Sequence, residues 1–127
     1  AKIYDLLIIN FANPDMVGHT GNLSATLKAC ETIDRMIGRI IASLEAVDGE
    51  MLIISDHGNC EEMFIKGTSE PHTYHTLNPV PVILCSKREN LTLSSGKLSD
   101  VAPTILDLMG LEKPQLMSGQ SLVKFGG

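Results

Sequence analysis

The sequence predicts an α/β fold in which a mostly parallel sheet is flanked by helices. Three observations carry that prediction: nearly continuous apolar runs over residues 4–10 and 51–55, a long amphipathic stretch between them, and a third apolar run over 80–85. Short apolar runs are the pattern of strands buried on both faces of a parallel sheet. Strand, long helix and strand in succession make a βαβ unit, whose crossover is right-handed.

The elements follow in order. After the first run, residues 10–21 hold Pro, Asn, Asp and Gly and read as a loop at the strand's carboxyl end. From residue 22 to 47 the period changes: Leu23, Leu27, Cys30, Ile33, Ile37, Ile40 or Ile41, Leu44 and Val47 recur at three- and four-residue steps, one face of a helix. Asp48-Gly49 stops it. The second strand, 51–55, runs into Asp56-His57-Gly58-Asn59. Residues 66–78 read as a loop. Pro81 is awkward within a sheet, so the third strand begins after it. Ser99 or Asp100 can cap a short helix through Leu108, with Pro103 in its first turn and Gly110 at its end. Residues 111–127 form a tail with a turn at Gly119.

The bulk properties exclude several classes of function. A hydrophobic fraction of 43% in 127 residues supports a folded core. The formal net charge of −5, with no Lys/Arg cluster, argues against nucleic acid as a partner. No apolar run approaches the roughly 18–20 residues of a membrane span, and no signal-peptide pattern is visible. Cys30, Cys60 and Cys85 form no paired motif; they fit a reducing, cytoplasmic setting and read as buried small apolar side chains. Because the chain opens almost directly in a strand pattern, it is expected to lack what precedes that strand.

In open α/β sheets ligands gather beyond the carboxyl ends of the strands. Asp15 and His19 lie in the first such loop, Asp56 and His57 in the second, and His72 and His75 in the loop before the third strand. Each pair alone is unremarkable, since a turn carboxylate beside a surface histidine is common. Together they place all four histidines in these loops and none on an apolar helix face. Imidazole plus carboxylate without thiolate suits Mn²⁺ or Zn²⁺ better than Mg²⁺ or Ca²⁺. Even five of these six candidates are too many for one catalytic ion that keeps an open position, so two ions are expected.

The motifs resemble those of the cofactor-independent phosphoglycerate mutases of the alkaline-phosphatase superfamily. They are Asn10-Phe11-Ala12-Asn13-Pro14-Asp15-Met16-Val17-Gly18-His19-Thr20-Gly21, Ser55-Asp56-His57-Gly58-Asn59, and His72-Thr73-Tyr74-His75-Thr76-Leu77-Asn78-Pro79. The segments Leu98-Ser99-Asp100-Val101-Ala102-Pro103 and Met117-Ser118-Gly119-Gln120-Ser121-Leu122 resemble the family's last helix and closing stretch. The resemblance implies an alkaline-phosphatase-like fold and interconversion of 3- and 2-phosphoglycerate through a phosphoserine. It implies two metal ions, Mn²⁺ with Zn²⁺ or Co²⁺ as alternatives, and no use of 2,3-bisphosphoglycerate. It assigns Asp15, His19 and His75 to one ion and Asp56 and His57 to the other. His72, Asn13, Asn59 and Thr20 become supporting residues of the loops.

The same resemblance implies that residues 1–127 are the C-terminal portion of a metal-binding domain. The nucleophilic serine, its partner aspartate and an inserted substrate-binding domain would lie upstream, in a protein that is monomeric at full length. Ser55, whose side chain should point away from the face of Asp56, and Ser24, on the helix, are poor substitutes for that nucleophile. The chain by itself is then expected to be inactive. Two alternatives remain: another phosphomutase or phosphohydrolase of the superfamily, and a metal-binding domain without catalysis.

Overall fold

The computed structural model describes residues 3–126, which divide into two compact units, residues 3–40 with 57–79 and residues 41–56 with 80–126. The elements follow in the order α1 (Asn13–Gly18), α2 (Leu23–Glu45), β1 (Met51–Ile54), β2 (Val82–Cys85), β3 (Leu91–Leu93), α3 (Val101–Leu108) and β4 (Val123–Phe125).

In the first unit, the segment expected to be a loop contains α1, six residues long with Pro14 in its first turn, where a missing N–H costs nothing. The left-handed Gly21 (φ 67°) then turns the chain, and Asn22 caps α2 by accepting the Ala25 N–H at 3.0 Å. The covered stripe of α2 in this unit is Thr26, Ala29, Ile33, Met36, Ile37 and Ile40. The helix forms as its period predicts, but Leu23, Leu27 and Cys30 are exposed, so the covered face begins one position away from the predicted one. Residues 63–72 close an irregular hairpin: His72 N–H donates to Met63 O at 2.9 Å, Ile65 N–H to Glu70 O at 2.9 Å, and Gly67 takes φ 81° at the tip. Met63 is the buried apolar anchor of this region.

The run over residues 4–10 forms no strand, and Ile3, Leu7 and Ile8 are 79%, 67% and 83% exposed. Among the described residues no second backbone pairs with it. A strand needs a partner for its N–H and C=O groups, and apolar side chains alone do not supply one.

In the second unit, α2 ends at Glu45; the turn after it closes at Asp48, which takes the left-handed conformation (φ 56°), and Gly49 N–H returns to Leu44 O at 2.9 Å. Strands β1 and β2 pair antiparallel, Met51 opposite Cys85 and Ile54 opposite Val82. The expected parallel arrangement is therefore corrected: both ladders among the described residues are antiparallel. An apolar run specifies burial on both faces, whereas direction depends on which strands are available to pair. The second ladder, β3 with β4, joins Leu91 to Phe125 and Leu93 to Val123; at three residues each, these strands are too short to show a period. Lys87 Nζ donates to Glu45 O and Asp48 Oδ1, both at 2.9 Å, fixing the end of α2. Arg88 forks onto Glu50 and also donates to Leu108 O at 2.7 Å, tying β2 to the end of α3. Burial raises the Glu50 carboxyl, but Arg88 and Ser86 outweigh it and hold it below the usual carboxylate range.

Helix α3 follows a single 3₁₀ turn and has Pro103 in its first turn and Gly110 (φ 70°) after its end, as predicted. Asp100 stands before it but makes no capping bond, its carboxylate accepting Lys97 N–H and Gln120 N–H instead. Its anchor is Thr104, which is fully buried. The Thr104 hydroxyl donates to Asp100 O at 2.7 Å and accepts Leu122 N–H at 2.9 Å. Thr104→Val keeps the shape and orphans the Leu122 N–H, so thermal or urea unfolding should show a loss of about 1–3 kcal/mol. A variant as stable as the parent would mean the Leu122 N–H finds another acceptor. All three cysteines are free, and Cys30 is exposed where a buried position was expected.

Candidate metal centre

Helix α1 explains the Asp-x-x-x-His spacing. Residues four apart stand on one face of a helix, and here they are Asp15, in the first turn, and His19, the residue that ends it. His19 Nε2 lies 3.1 Å from Asp15 Oδ1. The second contributor is His57, directly after Asp56 at the end of the β1 segment; the third is His75. An isolated bridge between Gly58 and Thr76 brings these two segments side by side, and the rings of His57 and His75 stack with centroids 3.5 Å apart. His75 Nε2 stands 3.0 Å and His57 Nε2 3.8 Å from Asp15 Oδ1. Among the described residues, donor atoms of Asp15, His57 and His75 all lie within 4.8 Å of one another.

The hydrogen bonding of His19 bears on what the cluster can hold. Its Nδ1 lies 2.6 Å from the carbonyl of Thr73, which can only accept, so Nδ1 carries the hydrogen. A neutral His19 therefore turns the lone pair of Nε2 toward Asp15 and toward His75 Nε2, 3.1 Å away. Electron-rich atoms converge on one point. A proton on His75 satisfies one of these approaches, whereas a divalent cation satisfies all of them. Orientation of a ligating imidazole by a backbone carbonyl is usual in metal sites.

The residues around the cluster are held by neutral and acidic side chains. Asn59, buried, donates Nδ2–H to Asp15 Oδ1 at 3.3 Å, and its backbone N–H donates to Glu61 at 2.6 Å. Thr20 braces the turn after α1, donating to Val17 O at 2.6 Å and accepting Asn22 N–H at 3.2 Å. Cys60 donates its thiol to Pro14 O at 3.2 Å. Burial and the adjoining Cys30 thiol push the Cys60 thiol up to about 11, so it stays protonated at neutral pH and makes a poor ligand.

Glu61 escaped the sequence reading, and Thr73, Thr76 and Asn78 entered it only as members of a motif without a role, because their bonds to the cluster join residues far apart in the chain. Burial acts to raise the Glu61 carboxyl, but hydrogen bonds from Thr76, its own backbone N–H, Asn78 and Asn59 outweigh it and hold it at about 2. The sign follows: the stabilisation is complete above about 4.5 and is lost as pH falls through about 2. The Asn59 amide resonance, followed by NMR during acid titration, should move with a midpoint near 2. A midpoint at the unperturbed 4.5 would show that the bonds are not kept in solution.

Of the other residues singled out in the sequence, Asp56 belongs to the second unit and lies outside the Asp15–His57–His75 set. His72 also stands apart: its ring meets Tyr74 edge-on at 6.2 Å, its Nδ1 is buried without a partner among the described residues, and its backbone holds Met63. Asn13 opens α1 and lines a cleft with Phe11, Val17 and Lys28.

Comparison with known proteins fits this geometry. The model of the metalloenzyme superfamily matches residues 1–113. The chain belongs to the metalloenzyme superfamily. Within that superfamily it is similar to proteins named 2,3-bisphosphoglycerate-independent phosphoglycerate mutase. The identity is 54% over 120 residues for the protein from Roseobacter denitrificans and 57% over 120 residues for that from Ruegeria pomeroyi. For Agrobacterium fabrum it is 56% over 122 residues. These matches cover 94%, 94% and 96% of this metalloenzyme chain and 24% of each relative, so the chain spans about a quarter of their length. No helix among its described residues is long and apolar enough to cross a membrane.

Proposed function

We propose that this chain is the metal-binding part of a phosphoglycerate mutase that interconverts 3- and 2-phosphoglycerate without 2,3-bisphosphoglycerate. The observation that carries the reading is the cluster of Asp15, His57 and His75, whose donor atoms lie within 4.8 Å of one another, with His19 Nε2 3.1 Å from His75 Nε2, in a chain more than half identical over 120 residues to enzymes of that name. Asp15, His19 and His75 would hold one divalent ion, and Asp56 and His57 would contribute to a second. Mn²⁺ suits this donor set, with Zn²⁺ and Co²⁺ as alternatives. Bound there, such ions supply positive charge to phosphoryl oxygens and lower the pKa of an attacking hydroxyl. The chain's own residues bind and orient: Thr73 O fixes His19, Asn59 steadies Asp15, and the Gly58–Thr76 bridge sets His57 against His75. The serine that takes up the phosphoryl group, its aspartate partner and the substrate contacts belong, on this reading, to the remainder of a longer, monomeric cytoplasmic protein. In fold terms the chain is the C-terminal portion of an alkaline-phosphatase-like domain.

Titration calorimetry with Mn²⁺ tests the first part, and should show about one ion bound more tightly than any second, because one three-ligand set is complete within the chain. Absence of binding above neutral pH would overturn it. In the full-length protein, His75→Ala should remove nearly all mutase activity while His72→Ala keeps a measurable part; equal losses would mean the two histidines are wrongly assigned.

A further inference from the structure

We infer that Glu61 is a positioning residue for the metal centre, a clamp that holds the His57 segment against the His75 loop. The inference rests on reading the cluster as a metal site. One carboxylate oxygen of Glu61 accepts the Asn59 N–H at 2.6 Å, on the His57 segment. The other accepts Asn78 Nδ2–H at 3.0 Å and the Thr76 hydroxyl, both on the His75 loop. Between them, Thr76 N–H donates to Gly58 O at 2.9 Å. The bridge thus closes one residue beyond each histidine, and Glu61 fastens it from Asn59, two residues beyond His57, and from Thr76 and Asn78, one and three beyond His75.

The fit is close at Gly58, where an added Cβ would stand 2.4 Å from Glu61 Oε1 and 2.1 Å from Thr76 Oγ1. A side chain at Gly58 would push both of those oxygens aside, so its absence lets the carboxylate reach both segments. With both oxygens engaged by donors from the two segments, Glu61 sets where ligands stand and is not placed to be one. Groups that orient ligating residues typically change metal affinity about 10–100-fold when removed. The neighbouring Glu62 is the natural control, since its carboxylate accepts one bond from this network, Asn78 Nδ2–H at 3.2 Å, and its backbone bond to Asn59 O survives a change of side chain.

The experiment uses the full chain and Mn²⁺ alone, with calorimetry on the parent, Glu61→Ala, Glu61→Gln and Glu62→Ala. Glu61→Ala should weaken binding about 10–100-fold, Glu61→Gln should fall between it and the parent, and Glu62→Ala should stay within about threefold. Co²⁺ in place of Mn²⁺ should give a changed visible absorption band in both Glu61 variants, a signature that mere loss of stability would not produce. Equal affinities for Glu61→Ala and Glu62→Ala would overturn the inference. If Glu61→Ala loses its helical circular dichroism, Glu61→Gln decides, and parental affinity with a parental Co²⁺ band overturns the clamp. Should the parent itself bind no Mn²⁺, the metal reading fails separately. Amide exchange at Thr76 in metal-free protein then decides the clamp: faster exchange in Glu61→Gln supports it, and an unchanged rate removes it.

Discussion

Asp15→Ala is expected to lower Mn²⁺ affinity at least about 100-fold, the largest loss of any single substitution in the cluster. Asp15 is the one carboxylate among the converging donors, and its Oδ1 is the common neighbour of His75 at 3.0 Å, His19 at 3.1 Å and His57 at 3.8 Å. Removing it leaves only the imidazoles of His19 and His75 facing that dication, with no anionic charge among its ligands. Asn59, which points Nδ2–H at that oxygen, loses its acceptor as well. The fold itself should survive, because the carboxylate's favourable position in the first turn of α1 is worth only about 0.3–1 kcal/mol at a surface site. Calorimetry with Mn²⁺, alongside circular dichroism, separates the two effects. A fall of less than about tenfold with the helix signal intact would show that the imidazoles bind on their own.

How far the sequence foretold this molecule depends on the range of the interactions involved. Helix α2 was legible because a three-to-four-residue period is local, and so was α3, with Asp100 before it, Pro103 in its first turn and Gly110 after it. The metal loops were legible as chemistry, since imidazole and carboxylate are uncommon in such concentration. What holds them was not: Glu61 reaches 15 residues to Thr76 and 17 to Asn78, and nothing local announces a contact at that separation. Sheet direction failed for a related reason. The runs over 51–54 and 82–85 do become strands, but each side chain pattern is silent about which way its partner runs. The run over 4–10 fails more completely, because the pattern predicts burial and the described residues offer it no ladder. Even Asp-x-x-x-His, read as a loop, owed its geometry to a helix of six residues whose apolar face is too short to recognise.

Gly119→Ala should destabilise the chain by roughly 3–5 kcal/mol, large against a typical total of about 5–15 kcal/mol. Gly119 is buried, and a Cβ there would lie 1.9 Å from Ser99 O and 2.7 Å from Ser99 C. The obstacle is backbone in the turn before α3, so no side chain rotation relieves it. Relief requires moving residues 118–122 away from that turn. Such a shift breaks the bond from Gln120 N–H to Asp100 Oδ1 (2.9 Å) and the bond from Leu122 N–H to Thr104 Oγ1 (2.9 Å). It also lifts Leu122 and Val123, two of the few buried apolar side chains, and draws β4 from its pairing with β3. The same substitution at Gly38 supplies the contrast, for that residue lies within α2 with no atom near its added Cβ. There alanine should stabilise by up to about 1 kcal/mol, because it restricts the unfolded chain and favours helix. Thermal unfolding of the two variants should therefore shift in opposite directions. If Gly119→Ala melts within about 2 °C of the parent, the close approach of residues 118–122 to the start of α3 is not what holds this unit together.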